Sequence, residues 1–410
     1  MKRNLRRIII VIVVLLATTG CGRATELNEL SIATGTGIDG KKGDYSVTYQ
    51  VSVASTSSSA SGGGSVGASS QAGVRVFSSR GKTVQEAISM SAVEEPRKIY
   101  FAHNNILIIS KETAEDGITP LLDSYFRNPN SRETVHVLAS QGQARDILTK
   151  NIPPEKLPGR AISEVVEKEK FLVSFYPATT VFELALGITS ESRTGVIPEI
   201  SVSGEDPKEL ESSEVMSKTA QSAKLRLTGL VIFKGDRSVG KMNLEESLGM
   251  SWLTNRVKGT TLSFPDPDSL GEENQSAVRI CNAKVKVTPV KGLLHYTIKV
   301  KAEVSGELIE TTSEEDLTDT SGIDKLKQQI EQVILRQMEM AWASAKAMKV
   351  DILGIGNKIH VRNPKEWHKL KPNWDEELAR MDMKADVKVK VVRTRLFLNS
   401  FRQMMNKTLE

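Results

Sequence analysis

The sequence predicts a mixed α/β (α+β) fold spread over more than one domain, and three observations carry that prediction. Short apolar strands alternate with helical segments over 74–150. Long strands whose outward positions are often lysine run over 278–287 and 295–304. A single amphipathic helix covers 323–348, with Leu326, Ile330, Val333, Ile334, Ala341 and Ala345 on one stripe. At 410 residues and 39% hydrophobic content the chain is long enough for two or three cores.

The first element is not part of the folded body. Lys2, Arg3, Arg6 and Arg7 precede an unbroken apolar run over 8–17, which ends in Thr18, Thr19, Gly20 and Cys21. A membrane-crossing helix needs roughly 20 apolar residues, so this run is too short. A basic start, a short apolar core and small residues at the exit describe a secretory signal peptide. A cysteine directly after a small residue resembles a bacterial lipobox, although Thr18 stands where Leu is usual. The expectation is cleavage between Gly20 and Cys21, with diacylglyceryl and N-acyl chains, palmitate among them, on Cys21. Removal of 1–20 changes the charge balance. Four of the 55 basic residues lie there, leaving 51 against 50 acidic. No basic excess remains to suggest nucleic acid.

A short strand over 29–33 and an alternating strand over 45–53 follow, joined by "GTGIDGKKGD". Gly35, Gly37 and Gly40 have the spacing of a dinucleotide fingerprint, but a strand follows where that fingerprint requires a helix. A glycine-rich hairpin connection is the expectation. The Ser/Gly tract 54–73 has little to bury and is expected to be a flexible loop. Helices are predicted over 83–92, 111–126, 143–150, 162–171 and 180–186, and strands over 74–78, in the "NILIIS" segment within 99–110, and over 135–139. Pro153, Pro154 and Pro158 interrupt the chain near 151–160, which marks a subdomain break. The polar, acidic stretch 204–222 is the predicted linker. After it, "LRLTGLVIFKGDRSVGKMN" reads as a hairpin turning at Gly235–Asp236, then a short helix over 242–253, the long strands, the long helix and a last strand around Val387, Val389 and Val391. The resulting division is 1–20 signal peptide, 21–203 N-terminal unit, 204–222 linker, 223–395 C-terminal unit with an antiparallel sheet on the long helix, and 396–410 tail.

The search for chemistry is short. His103, His136, His295, His360 and His368 form no metal-ligand spacing. No G-x-S-x-G pentad occurs. "GDRSVGK" resembles a phosphate loop but lacks the final hydroxyl residue. Glu314–Glu315 and Glu376–Glu377 are adjacent carboxylates in polar surroundings. Cys281, in an alternating strand, is expected to be a small buried side chain. No catalytic, cofactor or metal residue is assigned.

The order of landmarks carries a resemblance. "ELNELSIATGTGID" at 26–39, "YFAHNNILIIS" at 100–110, "FRNPNSRETVHVLASQGQARDIL" at 126–148, "LTGLVIFKGDRSVGKMNLEESLGMSWL" at 227–253, "MKVDILGIGNKIHVRNPKEWHKLKPNW" at 348–374 and "DVKVKVVRT" at 386–394 follow a cysteine after a leader. In this order they resemble the Ger(x)C family of spore-germination lipoproteins, the C subunits of GerA-type nutrient germinant receptors. The resemblance implies mixed α/β domains, no enzymatic activity and no cofactor. It also implies lipid attachment at Cys21, a place on the outer face of the inner spore membrane, and integral membrane A and B subunits as partners. Gly22–Arg23 stands where the family often has Trp-Asp. A substrate-binding lipoprotein of a transporter is the alternative; it would need two similar lobes, and the element orders of the two halves differ.

Overall fold

The protein is described by a computed structural model at residues 4, 29–52, 73–266, 275–313, 320–393, 400 and 404–405. The predicted signal peptide, Cys21, nearly all of the 54–73 tract and most of the 396–410 tail lie outside the described residues. Among those described, thirteen strands form two sheets, one of nine and one of four.

The first sheet opens with β1 (Leu30–Lys41), which pairs antiparallel with β2 (Asp44–Ser52), itself antiparallel to β3 (Val74–Gly81). The glycines of "GTGIDG" are therefore strand residues, and only Lys42 and Gly43 turn the chain. Their role is steric. An added Cβ on Gly37 would sit 2.9 Å from the Leu148 side chain and 3.0 Å from that of Ala144. The helix carrying those residues packs directly on the strand. Helix α1 (Val84–Glu94) starts where expected, its N-cap Thr83 hydroxyl accepting from the Glu86 N–H.

Short β4 (Lys98–Tyr100) and β5 (Ile106–Ile109) both run parallel to β1; β5 is the predicted "NILIIS" strand, and β4 is an additional short one. The predicted helix over 111–126 is two helices, α2 (Lys111–Asp116) and α3 (Thr119–Arg127). Gly117, at φ 127°, ends the first in a conformation closed to other residues. Then come β6 (His136–Ser140), α4 (Ala144–Leu148), α5 (Pro158–Leu172), α6 (Val181–Thr189) and β7 (Thr194–Gly204). Strands β1, β5, β6 and β7 are mutually parallel and covered on both faces. Ile106 and Ile108 enter one core while Leu107 and Ile109 enter the other.

The stretch 204–222 contains two 3₁₀ turns, Pro207–Glu211 and Ser213–Ser217, which bury Leu210 and Val215 against Ala223. Beyond it β8 (Ala223–Lys234) pairs with β7 from Gly204↔Ala223 onward, and β9 (Arg237–Met242) pairs with β8 around the predicted Gly235–Asp236 turn. Hydrogen bonding is thus continuous across the predicted linker, and the hairpin read as opening the second unit extends the first sheet.

Helix α7 (Leu244–Leu253) leads into the second sheet: β10 (Thr260–Pro265), β11 (Gln275–Lys291) and β12 (Tyr296–Glu310), all antiparallel. Helix α8 (Thr320–Ala347) buries Leu326, Ile330, Ile334, Met338, Ala341 and Ala345. Helices α9 (Ile355–Arg362), α10 (Pro364–Leu370) and α11 (Trp374–Arg380) complete a crossover to β13 (Asp382–Arg393). A crossover of that length allows β13 to join parallel to β12, so the predicted antiparallel pairing holds for three of the four strands. One continuous core runs from Ile232 of the first sheet through Trp252 to Ile298 of the second and Ile334 of α8. No helix among the described residues is long and apolar enough to cross a membrane.

Candidate functional site

Polar chemistry in this molecule concentrates where the loop after α6 meets the helices after α8. Asp351 is 3% exposed. Its Oδ1 accepts from the Ile355 N–H at 2.8 Å and its Oδ2 from the Gly356 N–H at 2.7 Å, which satisfies two orphan donors of α9. The Ser192 hydroxyl donates to Asp351 Oδ2 at 2.7 Å and accepts from the Asn357 N–H at 3.3 Å. The Asn357 side-chain oxygen returns the contact, accepting from the Ser192 N–H at 3.2 Å. Burial raises the pKa of Asp351, and the hydrogen bonds it accepts oppose that rise.

Next to Ser192, Glu191 accepts from Trp367 Nε1 at 2.9 Å and pairs with Lys371 at 2.8 Å and His360 at 3.5 Å. Hydrogen bonding to Lys371 and Trp367 lowers its pKa. Lys234 on β8 pairs with Asp375 on α11 at 2.5 Å. These groups satisfy one another across more than 140 residues of chain and leave no poised acid, base or nucleophile. The arrangement can hold two parts of the molecule in one orientation. Asp351 lies in the "DILGIG" stretch, and an acid four residues before a helix start was the signal available in the sequence.

His136 is buried on β6, with Nδ1 3.0 Å from the Ser163 hydroxyl and Nε2 2.9 Å from Glu167. Burial lowers its pKa, against the pull of Glu167. Serine, imidazole and carboxylate are the components of a hydrolytic triad. Ser163, however, lies inside α5, where its own N–H belongs to the helix ladder and cannot face an oxyanion. The trio pins α5 to β6. His295 pairs with Asp382 at 3.2 Å, His368 Nδ1 lies 2.8 Å from the Pro364 carbonyl, and the His103 ring lies 6.0 Å from that of Tyr100. Among the described residues no group of three or more His, Cys, Asp or Glu is arranged to hold a metal. Cys281 is exposed, contrary to expectation, because the register shift between Ile280 and Asn282 turns it outward.

An open groove of about 830 Å³ lies between α1 and α3, floored by Val84, Ile88, Ile99 and Phe101 and edged by Arg97 and Arg127. It holds no convergent set of reactive groups.

Comparison with known proteins matches two family models to successive parts of the chain. The family model for the spore germination protein N-terminal domain matches residues 23–202, and the model for the spore germination B3/GerAC-like C-terminal domain matches 228–395. Spore germination protein KC of Bacillus subtilis (strain 168) is 24% identical over 396 residues, covering 95% of this chain and 96% of that one. Spore germination protein B3 of the same organism is 23% identical over 392 residues, covering 92% and 95%. The crystal structure of the GerBC protein superposes with a TM-score of 0.51 at 18% identity over 88% of this chain and 98% of that one, a likeness in fold.

Proposed function

The chain belongs to the Ger(x)C, or GerAC-like, family of spore germination proteins, and from that premise we propose that it is the C subunit of a nutrient germinant receptor. In this reading it is anchored through acyl chains on Cys21 at the outer face of the inner spore membrane. It acts by contact with integral membrane A and B subunits, without catalytic turnover. The observation that carries the proposal is the match of both family models, together spanning nearly the whole chain after Arg23. The chemistry of the body supports it. The buried polar groups at the Asp351 junction and around His136 are engaged with one another, and the groove between α1 and α3 is lined without a catalytic constellation.

Anchoring supplies what a contact mechanism needs. One acyl chain gives only marginal binding and two give stable attachment. A tethered body is confined to a thin layer, which raises its effective concentration for membrane-embedded partners. The test is purification from spore membranes. The mature N-terminus is expected to be an acylated Cys21, and two multi-spanning proteins are expected to co-purify with it. An intact peptide spanning Met1 to Gly20 would refute the anchor, and co-purification with an ATPase and permease would refute the receptor assignment.

A further inference from the structure

We propose that the open face of the second sheet, with the hairpin tip at its end, docks onto an anionic phospholipid surface. The inference goes beyond attachment through Cys21 and does not depend on it.

Helix α8 covers one face of this sheet, and the other face is exposed. Its side chains line up in cross-strand rows. Lys299 on β12 stands directly opposite Lys384 on β13, and Lys301 directly opposite Lys286 on β11. In the next row Glu303 lies between Lys284 and Lys388, and Lys390 follows beside Ser305. Asp386 beside Lys301 is the other acid among these rows. Seven lysines thus share the rows with two carboxylates, and none of the seven forms an ion pair among the described residues. Like charges directly opposite on a sheet destabilise it. A nearly neutral chain that places lysine opposite lysine twice on one uncovered face has concentrated its positive charge there.

The same sheet ends in the β11–β12 turn, where Leu293 and Leu294 are 105% and 93% exposed. That turn is held. Gly292 donates its N–H to the His295 carbonyl at 3.0 Å, Lys291 pairs with Glu366 at 2.7 Å, and His295 pairs with Asp382. Two large apolar side chains are therefore held in water at the rim of a basic face. Basic residues beside exposed apolar ones are what an anionic bilayer binds: lysines attract the headgroups and the leucines enter the interface.

The experiment uses the full chain carrying Cys21→Ser, so that no acyl chain contributes and residues 1–20 are common to every protein compared. Partitioning is measured onto vesicles of phosphatidylcholine alone and of phosphatidylcholine with phosphatidylglycerol. The parent is expected to bind the anionic vesicles more tightly, with the difference shrinking as salt rises. Each lysine removed should cost about fivefold in that difference. The triple variant K299Q/K301Q/K384Q should therefore lose on the order of 100-fold, and L293S/L294S at least about 100-fold on either vesicle. The lysine variant should melt no lower than the parent, since the two like-charge pairs it removes outweigh the single opposite-charge neighbour, Asp386, which separates lost binding from lost folding. Equal partitioning of parent and lysine variant would overturn the proposal. So would a parent that ignores anionic vesicles while the lysine variant fails to co-purify with membrane proteins, an outcome that would make the face a protein-docking surface instead.

Discussion

At the scale of single residues, two buried carboxyl groups make opposite predictions. Glu169 is 9% exposed and accepts from the Tyr176 N–H through Oε1 at 2.7 Å. Burial pushes its pKa up to about 7 from an ordinary 4.5. A carboxyl raised on folding binds its proton more tightly in the folded state. Its contribution is therefore fully present below about pH 4.5 and is lost as pH rises toward about 7. The loss is about 3 kcal/mol. Glu169→Gln is expected to melt higher than the parent at pH 8 and to flatten the stability difference between pH 5 and pH 8; parallel profiles would refute this. Asp351, whose pKa burial also raises, answers substitution in the opposite sense, because its acceptors are engaged by the Ser192 hydroxyl and two N–H groups of α9. Asp351→Ala should cost about 3 kcal/mol by leaving those buried donors unmatched, and Ser192→Ala about 1. Both should shift the urea midpoint at constant slope. Residue-level reading of the sequence was least reliable where register decides. Alternation placed Cys281 inside, and one β-bulge turned it out.

At the scale of elements, the close approach of α7 to α8 sets a test. A Cβ on Gly249 would lie 1.9 Å from the Gln337 carbonyl oxygen and 2.9 Å from the Ala341 side chain. The same pair is joined by Trp252 Nε1 donating to Gln337 Oε1 at 3.0 Å. Gly249→Ala gains about 1 kcal/mol of helix propensity. Forcing the helices apart costs about 1–3 kcal/mol or more. The net expectation is destabilisation of about 2 kcal/mol, and a variant melting at or above the parent would show that the helices have room. Elements whose signal is local were legible. The stripe of α8, the Thr83 cap and the Gly235–Asp236 turn follow from spacing and side-chain chemistry alone. Elements that depend on a distant partner were not. The break at Gly117, the entry of "GTGIDG" into β1 and the burial of Leu210 and Val215 within a polar stretch all answer to tertiary neighbours. The Asp351 junction was hidden for the same reason, since Ser192 lies 159 residues away from it in the chain.

At the scale of the whole molecule, two mixed sheets share a continuous core, and the Asp351, Glu191 and Lys234 contacts join their surfaces. The order of landmarks along the chain pointed to the family, whereas no single motif did. The central claim is that the protein works at the membrane by contact. Its most direct measurement is nutrient-triggered germination of spores carrying Cys21→Ala or single alanine substitutions at His103, His136, His295, His360 and His368, with the abundance of each protein measured in parallel. The account predicts that Cys21→Ala impairs germination by releasing a body that still folds. It also predicts that no histidine substitution abolishes the response while the protein remains abundant. A histidine variant that is abundant, folded and complexed yet silent would contradict it and would require a chemical site.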